Sequence, residues 1–172
     1  FLNGIVAHVT MADPFCPTLS RILREEGEIL MPEGRQLHCG GIYLAMEGPA
    51  FSTRAESNLY KSWGCTVIGM TNHTEARLAR EAEIAYTSIS MVTDYDCWHE
   101  NHGNVSVEMV IDNLRTNASI ANKIIESTAR RIAQLRPSSE AHRALKSSLM
   151  TAKEKVPAET RKKINLFTKN YW

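Results

Sequence analysis

The sequence predicts an α/β domain in which helices flank a mixed, largely buried central sheet. Apolar runs of strand length recur along the chain, and segments of helical composition separate most of them. The 172 residues, 43% hydrophobic and only 7% aromatic, are enough to bury a sizeable core. We therefore expect residues 1–172 to form a single domain.

The strand candidates are short apolar runs bounded by turn residues, which is the pattern of buried strands. The longest of them ends directly before a pair of aspartates, so its end is the first place to look for chemistry. The four runs are Gly4–Val9, Gly41–Met46, Thr66–Gly69 and Ala85–Val92.

Capping residues mark where the helices of the first half begin and end. Ser20–Met31 has helical composition and separates the first two strands. Ser52 or Thr53 is a suitable N-cap for a second helix, and Gly64 is a suitable end for it. Thr74 is the expected N-cap of the helix that follows the third strand.

The last third of the chain is predicted to be helical. From Ser106 to about Leu135 apolar residues recur at helical spacing, which predicts one long covering helix. Pro137 breaks it, and a shorter helix is expected over Glu140–Ala152. Residues 157–172 are rich in Lys and Arg and predict a basic, amphipathic helical tail with a solvated face.

Charge and cysteine content exclude several classes of protein. Lys and Arg number 20 against 19 Asp and Glu, so nothing indicates a nucleic-acid or membrane surface, and small molecules or other subunits are the expected partners. Four widely spaced cysteines predict reduced thiols in a cytoplasmic protein. The opening segment is too short and uncharged for a signal peptide, and its abrupt start predicts missing sequence upstream.

Unusual residues follow three of the predicted strands, at the edge of the sheet where ligands of α/β proteins bind. Taken singly they have ordinary explanations: Asp94 suits a turn, Met70 and Phe51 suit a core, and His8 suits an apolar strand. Two carboxylates two residues apart are less ordinary, because they repel each other unless a group donates to them. An amino group, a protonated ring nitrogen, a metal or backbone amides could do so.

Four segments carry a family resemblance in addition to this pattern. The segments HVTMADPFCP, MEGPAFSTRAES, SWGCTVIGMT and LAREAEIAYTSISMVTDYDCW resemble the trimeric purine nucleoside phosphorylase family, in its methylthioadenosine phosphorylase branch. The resemblance runs in register from about His8 to Val110 and continues more weakly through the C-terminal helices. It implies the phosphorylase fold, a homotrimer, and that this chain is a C-terminal portion.

The activity that the resemblance implies is phosphorolysis, in which phosphate attacks C1′ of the ribosyl group while the purine leaves. The products would be adenine and 5-methylthioribose 1-phosphate, as in purine and methionine salvage. Inorganic phosphate would be the second substrate, with no metal and no organic cofactor.

The resemblance also assigns the base-recognition residues. It implies that Asp94 is a buried catalytic carboxyl beside purine N7, and that Asp96 accepts from the exocyclic amino group. Relatives that prefer 6-oxopurines are expected to carry Glu in place of Ser52 and Asn in place of Asp94. A carboxylate accepts from a 6-amino group but cannot donate to a 6-oxo group, so these residues favour 6-aminopurine nucleosides.

Further substrate contacts follow from the same resemblance. Val107, Val110 and Ile111 match the lining of a 5′-alkylthio pocket and share one helix face. His8 matches a residue that reaches the site of the neighbouring subunit. The resemblance implies that Phe51 contacts the base, that Met70 contacts the ribose and that Thr71 contacts the phosphate.

One feature of the family is absent from this chain. The family carries most of its phosphate site, including a Gly-rich loop and an Arg-His pair, in a preceding segment. We therefore expect activity only together with an N-terminal portion, and a non-catalytic adenine-nucleoside-binding subunit is the alternative. Within the enzyme class, a 6-oxopurine nucleoside or methylthioinosine phosphorylase is the second possibility, which Asp94 and Asp96 disfavour.

Overall fold

The computed structural model describes residues 4–99 and 107–172, apart from the side chains of Val107 and Met109. This part of the chain contains five α-helices and two short strands, with two 3-10 helices near the C-terminus. The elements are α1 (Pro17–Leu30), β1 (Tyr43–Ala45), α2 (Arg54–Ser62), β2 (Val67–Gly69), α3 (Asn72–Glu81), α4 (Val107–Leu135), the 3-10 helices Glu140–Arg143 and Lys153–Lys155, and α5 (Ala158–Thr168).

Strands β1 and β2 form a parallel pair with α2 as the crossover between them. Tyr43 pairs with Val67 and Ala45 with Gly69, so the two strands end level with each other. A parallel pair needs such a crossover, because a tight turn can join only antiparallel strands. The strands predicted at Gly41–Met46 and Thr66–Gly69 are thereby confirmed.

The other two predicted strands are wrong for the described chain. Within the described part of the chain, Gly4–Val9 makes only an isolated antiparallel bridge, between Ala7 and Leu149. Among the described residues Ala85–Val92 joins no ladder; the Tyr86 carbonyl group accepts from the Cys16 amide, and the Val92 carbonyl group accepts from the Asn117 side chain. An apolar run indicates that a segment is buried, whereas a strand also requires a neighbouring strand to which it is hydrogen-bonded. The described sheet is the parallel pair alone, and the larger mixed sheet stays a prediction.

Helix α2 begins as the sequence predicts, and α3 does not. Thr53 caps α2, its hydroxyl accepting from the Glu56 amide while the Glu56 carboxylate accepts from the Thr53 amide at 2.7 Å. Gly64 follows the helix with a φ of 80°, a conformation that suits glycine. The predicted cap Thr74 lies inside the first turn of α3, because that helix begins at Asn72.

The C-terminal helices confirm two predictions and correct one. The long helix α4 is present, and α5 begins directly after Pro157. The expected helix over Glu140–Ala152 is only a 3-10 turn, because two of its amide groups have other partners. The Leu145 amide donates to the Glu83 carboxylate at 2.9 Å, and the Met150 amide donates to the carbonyl group of Val6 at 2.9 Å. No helix in the described ranges is both long enough and apolar enough to cross a bilayer.

The chain divides into two compact units, so the single domain remains a prediction. The first unit comprises the chain up to Ser20, with His73–Thr87 and Pro137–Trp172, and the second comprises Arg21–Asn72 with Ser88–Arg136. Buried apolar residues of the first unit are Ile5, Cys16, Ala76, Ala141, Leu145 and Val156, and those of the second are Ile22, Ala121 and Ile124.

Within the second unit, an ionic cluster joins α1 to α4. The Arg131 guanidinium donates to Glu26 at 2.9 Å and also to Glu25, and the Ser127 hydroxyl donates to Glu26 at 2.5 Å. These hydrogen bonds hold the pKa of Glu26 below its ordinary value, the Ser127 hydroxyl contributing most and Arg131 next. The cluster fixes the long helix beside α1, and α4 in turn carries residues of the candidate site.

All four cysteines are free thiols, as the sequence predicts. Cys16 is buried and Cys65 is half-buried, whereas Cys39 and Cys97 are exposed.

Candidate active site

Most of the predicted site residues fall in one compact unit. His8 belongs to the first unit, and the side chain of Val107, the first residue of α4, lies outside the described part of the chain. The remaining predicted residues, all in the second unit, are Phe51, Ser52, Met70, Thr71, Asp94, Asp96, Val110 and Ile111.

One face of α2 holds the loop that contains Asp96. The Ser57 hydroxyl donates to Oδ2 of Asp96, and the Arg54 guanidinium donates to the carbonyl oxygen of Cys97. The Lys61 ammonium lies 3.4 Å from the centre of the Trp98 ring, a cation–π contact. Arg54, Ser57 and Lys61 are spaced by three and four residues, so they share one helix face.

The Asp96 carboxylate is held at both oxygens. Its Oδ1 accepts from the Cys97 amide at 2.8 Å, while Oδ2 accepts from Ser57, which is only 1% exposed. Each carboxylate oxygen has two lone pairs, so an acceptor position remains on each for a further donor. The arrangement presents Asp96 as a hydrogen-bond acceptor of fixed orientation.

Asp94 lies in a different environment from Asp96. The backbone bends at Asp94, whose carboxylate is exposed and accepts from the Thr93 hydroxyl at 2.7 Å. The expectation of a buried Asp94 is thus wrong for the described chain, because the bend turns this residue to the surface. The Asp94 carboxylate thus has its partner in the neighbouring residue Thr93, whereas the Asp96 carboxylate has a partner in α2, Ser57.

Helix α4 fixes the backbone immediately before Asp94. Asn113 Nδ2 donates to the carbonyl oxygen of Thr93 at 3.0 Å, and Asn117 Nδ2 donates to that of Val92 at 2.8 Å. The two asparagines are four residues apart and therefore share a helix face. Val110, half-buried, lies one turn before Asn113 on the same side, so the predicted 5′ pocket begins next to this attachment. Ile111 is 40% exposed.

The ends of β1 and β2 bring two further predicted segments together. Met46 and Met70 follow the paired residues Ala45 and Gly69. Met70 Sδ lies 3.1 Å from the position that a Cβ on Gly48 would occupy, and Gly48 has a φ of +73°. A side chain at position 48 would therefore be strained and crowded. The Ser52 hydroxyl donates to Met46 Sδ at 3.5 Å, which places Ser52 beside the end of β1.

Phe51 and Thr71, two predicted contact residues, are exposed, and for Phe51 this excludes the ordinary explanation as a core residue. Phe51 is 87% exposed, in the loop before α2, so it contributes nothing to the core of the described chain. Thr71 is exposed and directly precedes α3, a position from which an anion could meet the first amide groups of a helix.

His8 is not the core histidine of an apolar strand. It is exposed, and its amide group donates to the carbonyl oxygen of Ser148 at 2.8 Å within the first unit. Its predicted reach into a neighbouring subunit stays a prediction.

The residues that hold the candidate site are not among those predicted from the sequence. A signal exists for Asn113 and Asn117, since both interrupt the apolar pattern of α4 four residues apart. Arg54 and Ser57 have no such signal, because polar residues at the start of an exposed helix are common. Among residues 4–99 and 108–172, apart from Met109, no group of three or more His, Cys, Asp or Glu side chains could hold a metal ion.

The chain that carries this arrangement, two carboxylates in a loop held between α2 and α4, belongs to a known class of enzymes. The sequence profile of the phosphorylase superfamily matches residues 1–130, and the chain belongs to that family. Among its relatives, S-methyl-5′-thioadenosine phosphorylase of Prochlorococcus marinus is 77% identical over 172 residues, which are all of this chain and 55% of the relative. The enzyme of the same name from Thermosynechococcus vestitus is 53% identical over 99% of this chain and 59% of its own length.

Solved structures agree with these relatives. A methylthioadenosine phosphorylase from an antarctic soil metagenomic library superposes with a TM-score of 0.91 at 44% identity, covering 97% of this chain and 58% of that protein. The Schistosoma mansoni enzyme in complex with adenine superposes with a TM-score of 0.68 at 32% identity, covering 85% of this chain and 57% of that protein. This chain therefore spans little more than half the length of the proteins that it matches.

Proposed function

We propose that this chain is the C-terminal portion of an enzyme that phosphorolyses 5′-methylthioadenosine to adenine and 5-methylthioribose 1-phosphate. The observation that carries the proposal is the Asp94–Asp96 loop, held to α2 through Ser57 and to α4 through Asn113. The names of the relatives support the same substrate.

The base-recognition chemistry follows from the two carboxyl groups. As the C1′–N9 bond breaks, negative charge accumulates on the purine and must be neutralised. Asp94 supplies or shares a proton at N7, as a general acid. Asp96 accepts a hydrogen bond from the 6-amino group, for which its fixed acceptor geometry is suited.

The remaining contacts complete the proposed site around the ribosyl group. Met70 lies under the ribose, Thr71 binds phosphate at the start of α3, and Phe51 stacks near the base beside Ser52. The apolar side chains of Val107, Val110 and Ile111 surround the methylthio group.

The proposed assembly extends beyond this chain. A preceding portion supplies most of the phosphate site and completes a mixed central sheet. The protein is a cytoplasmic homotrimer in which His8 reaches the 5′ end of the substrate in a neighbouring subunit. Inorganic phosphate is the co-substrate, and the reaction uses neither a metal nor an organic cofactor.

The test measures adenine release from methylthioadenosine with and without inorganic phosphate. It compares the chain alone with the chain joined to the N-terminal portion of the Prochlorococcus marinus relative, which is 77% identical over the shared region. Phosphate-dependent release by the joined protein, with 5-methylthioribose 1-phosphate as the second product, is the expected result.

Two results would contradict the proposal. Binding of methylthioadenosine without turnover by the joined protein indicates a nucleoside-binding protein. Faster phosphorolysis of methylthioinosine than of methylthioadenosine indicates a 6-oxopurine enzyme.

A further inference from the structure

Ser57 is a buried polar residue whose hydrogen bond is directed at a proposed substrate contact. It is the buried residue of α2, and it is 1% exposed. Its hydroxyl donates to Oδ2 of Asp96, 39 residues further along the chain. Buried hydroxyl groups require a partner, and a surface serine at the start of a helix would find one in water. Burial therefore ties Ser57 to this one carboxylate.

The Ser57 bond removes the rotational freedom of the Asp96 carboxylate. The Cys97 amide donates to Oδ1 at 2.8 Å. With this donor alone, the plane of the carboxylate could still pivot about the Oδ1 contact and move Oδ2. With a donor on each oxygen the plane of the carboxylate is set. Each donor occupies one acceptor position of its oxygen, so one position on each oxygen remains for a substrate donor.

The helix that carries Ser57 is itself well anchored. Its start is fixed by the capping box of Thr53 and Glu56, and Arg54 donates to the carbonyl oxygen of Cys97. The pKa of Glu56 is lowered by the hydrogen bonds it accepts from Thr53, chiefly from the backbone amide. Ser57 is thus presented from a rigid helix end, which is what a positioning group requires.

We propose that Ser57 is the positioning residue that makes Asp96 selective for 6-aminopurines over 6-oxopurines. This inference rests on the proposed function, since it takes Asp96 as the acceptor of the amino group. A carboxylate fixed by two donors presents an acceptor to the 6-amino group of adenine, which donates to it. The 6-oxo group of hypoxanthine is itself an acceptor, so the same carboxylate repels it. When Ser57 is lost, the carboxylate can rotate away from that repulsion, so discrimination weakens.

The test is equilibrium binding of adenine and of hypoxanthine to the joined protein described above, measured by calorimetry. Ser57→Ala should reduce the preference for adenine on the order of tenfold, the size expected for one hydrogen bond to a charged group. Ser57→Thr keeps the hydroxyl and should restore part of the preference. Ser62→Ala is the matched control, because Ser62 ends the same helix and donates only to the carbonyl oxygen of Leu59.

A double-mutant cycle separates positioning from general stability. In an Asp96→Asn background, Ser57→Ala should change the binding ratio little, because the two residues act as one unit. A lower melting temperature of Ser57→Ala with an unchanged ratio overturns the proposal, as does a wild-type protein with no preference for adenine. Binding needs no turnover, so preferential adenine binding by a protein without phosphorolysis would contradict the proposed function and leave this inference standing.

Discussion

Asn113 donates from its side-chain amide to the carbonyl oxygen of Thr93 at 3.0 Å, so the long helix α4 holds the residue directly before Asp94. This contact joins the proposed general acid to the helix that carries the proposed 5′ pocket. A substitution at Asn113 should therefore affect chemistry without touching substrate.

Asn113→Asp is the clean form of that substitution, because it keeps the shape and replaces the donor with an acceptor. The new carboxylate would repel the Thr93 carbonyl group, and kcat for methylthioadenosine should fall on the order of tenfold, the size of one lost hydrogen bond. Steady-state phosphorolysis by the joined protein is the measurement. Asn122→Asp, at an exposed position of the same helix, should have no such effect.

Asp94→Asn should lower the turnover of methylthioadenosine by at least about 100-fold, because an amide cannot supply the proton that N7 requires. The variant should lose less activity on methylthioinosine than on methylthioadenosine. Asp112→Asn, at an exposed position of α4, is the control for the change in charge. Full activity of Asp94→Asn on 6-aminopurine nucleosides would falsify the assignment.

Val110→Thr tests the 5′ pocket with almost no change in volume. A hydroxyl group facing the methylthio group should lower kcat/KM for methylthioadenosine by about three- to tenfold more than for adenosine, whose 5′-hydroxyl can pair with it. The ratio of the two kcat/KM values is the measurement. Equal losses on both substrates would indicate damage to α4 instead of a pocket contact.

The ionic cluster between α1 and α4 predicts a dependence of stability on pH. The pKa of Glu26 lies below its ordinary value of 4.5, through the Ser127 hydroxyl and then Arg131, and that of Glu25 is lowered by Arg21 and then Arg131. A lowered folded-state pKa stabilises the fold above pH 4.5, and this stabilisation is lost as the pH falls through the folded-state value. The melting temperature should therefore fall as the pH is lowered below about 4.5.

The acid limb is the fall in melting temperature below about pH 4.5. Glu26→Gln should make this fall shallower, because an amide does not titrate. Melting temperatures measured from pH 7 to pH 3 on the chain and on this variant make the comparison. Glu28→Gln, whose carboxylate lies 3.7 Å from Arg24 on the exposed side of α1, is the control and should keep the acid limb. An identical acid limb in Glu26→Gln would show that other groups control acid unfolding.

The helices could be predicted from the sequence because their signals are local. Thr53, one of the two predicted N-caps, caps α2, and the periodic apolar residues of α4 give its position to within a residue or two. The strand at Ala85–Val92 could not be judged in this way, since a ladder depends on a neighbour distant in sequence. The same holds for Glu140–Ala152, where the Glu83 carboxylate and the Val6 carbonyl group take up helix donors.

For the candidate site, the sequence by itself determined the chemical groups and the family. Asp94, Asp96 and the segments around Ser52 and Met70 form motifs that can be recognised without a structure. The tertiary structure alone decided how those groups are held. Ser57 and Asn113 come within hydrogen-bonding distance of the Asp94–Asp96 loop only after α2 and α4 pack beside it. The physical reason is range: caps and periodicity act over a few residues, whereas the orientation of a carboxylate depends on donors that lie far away along the chain.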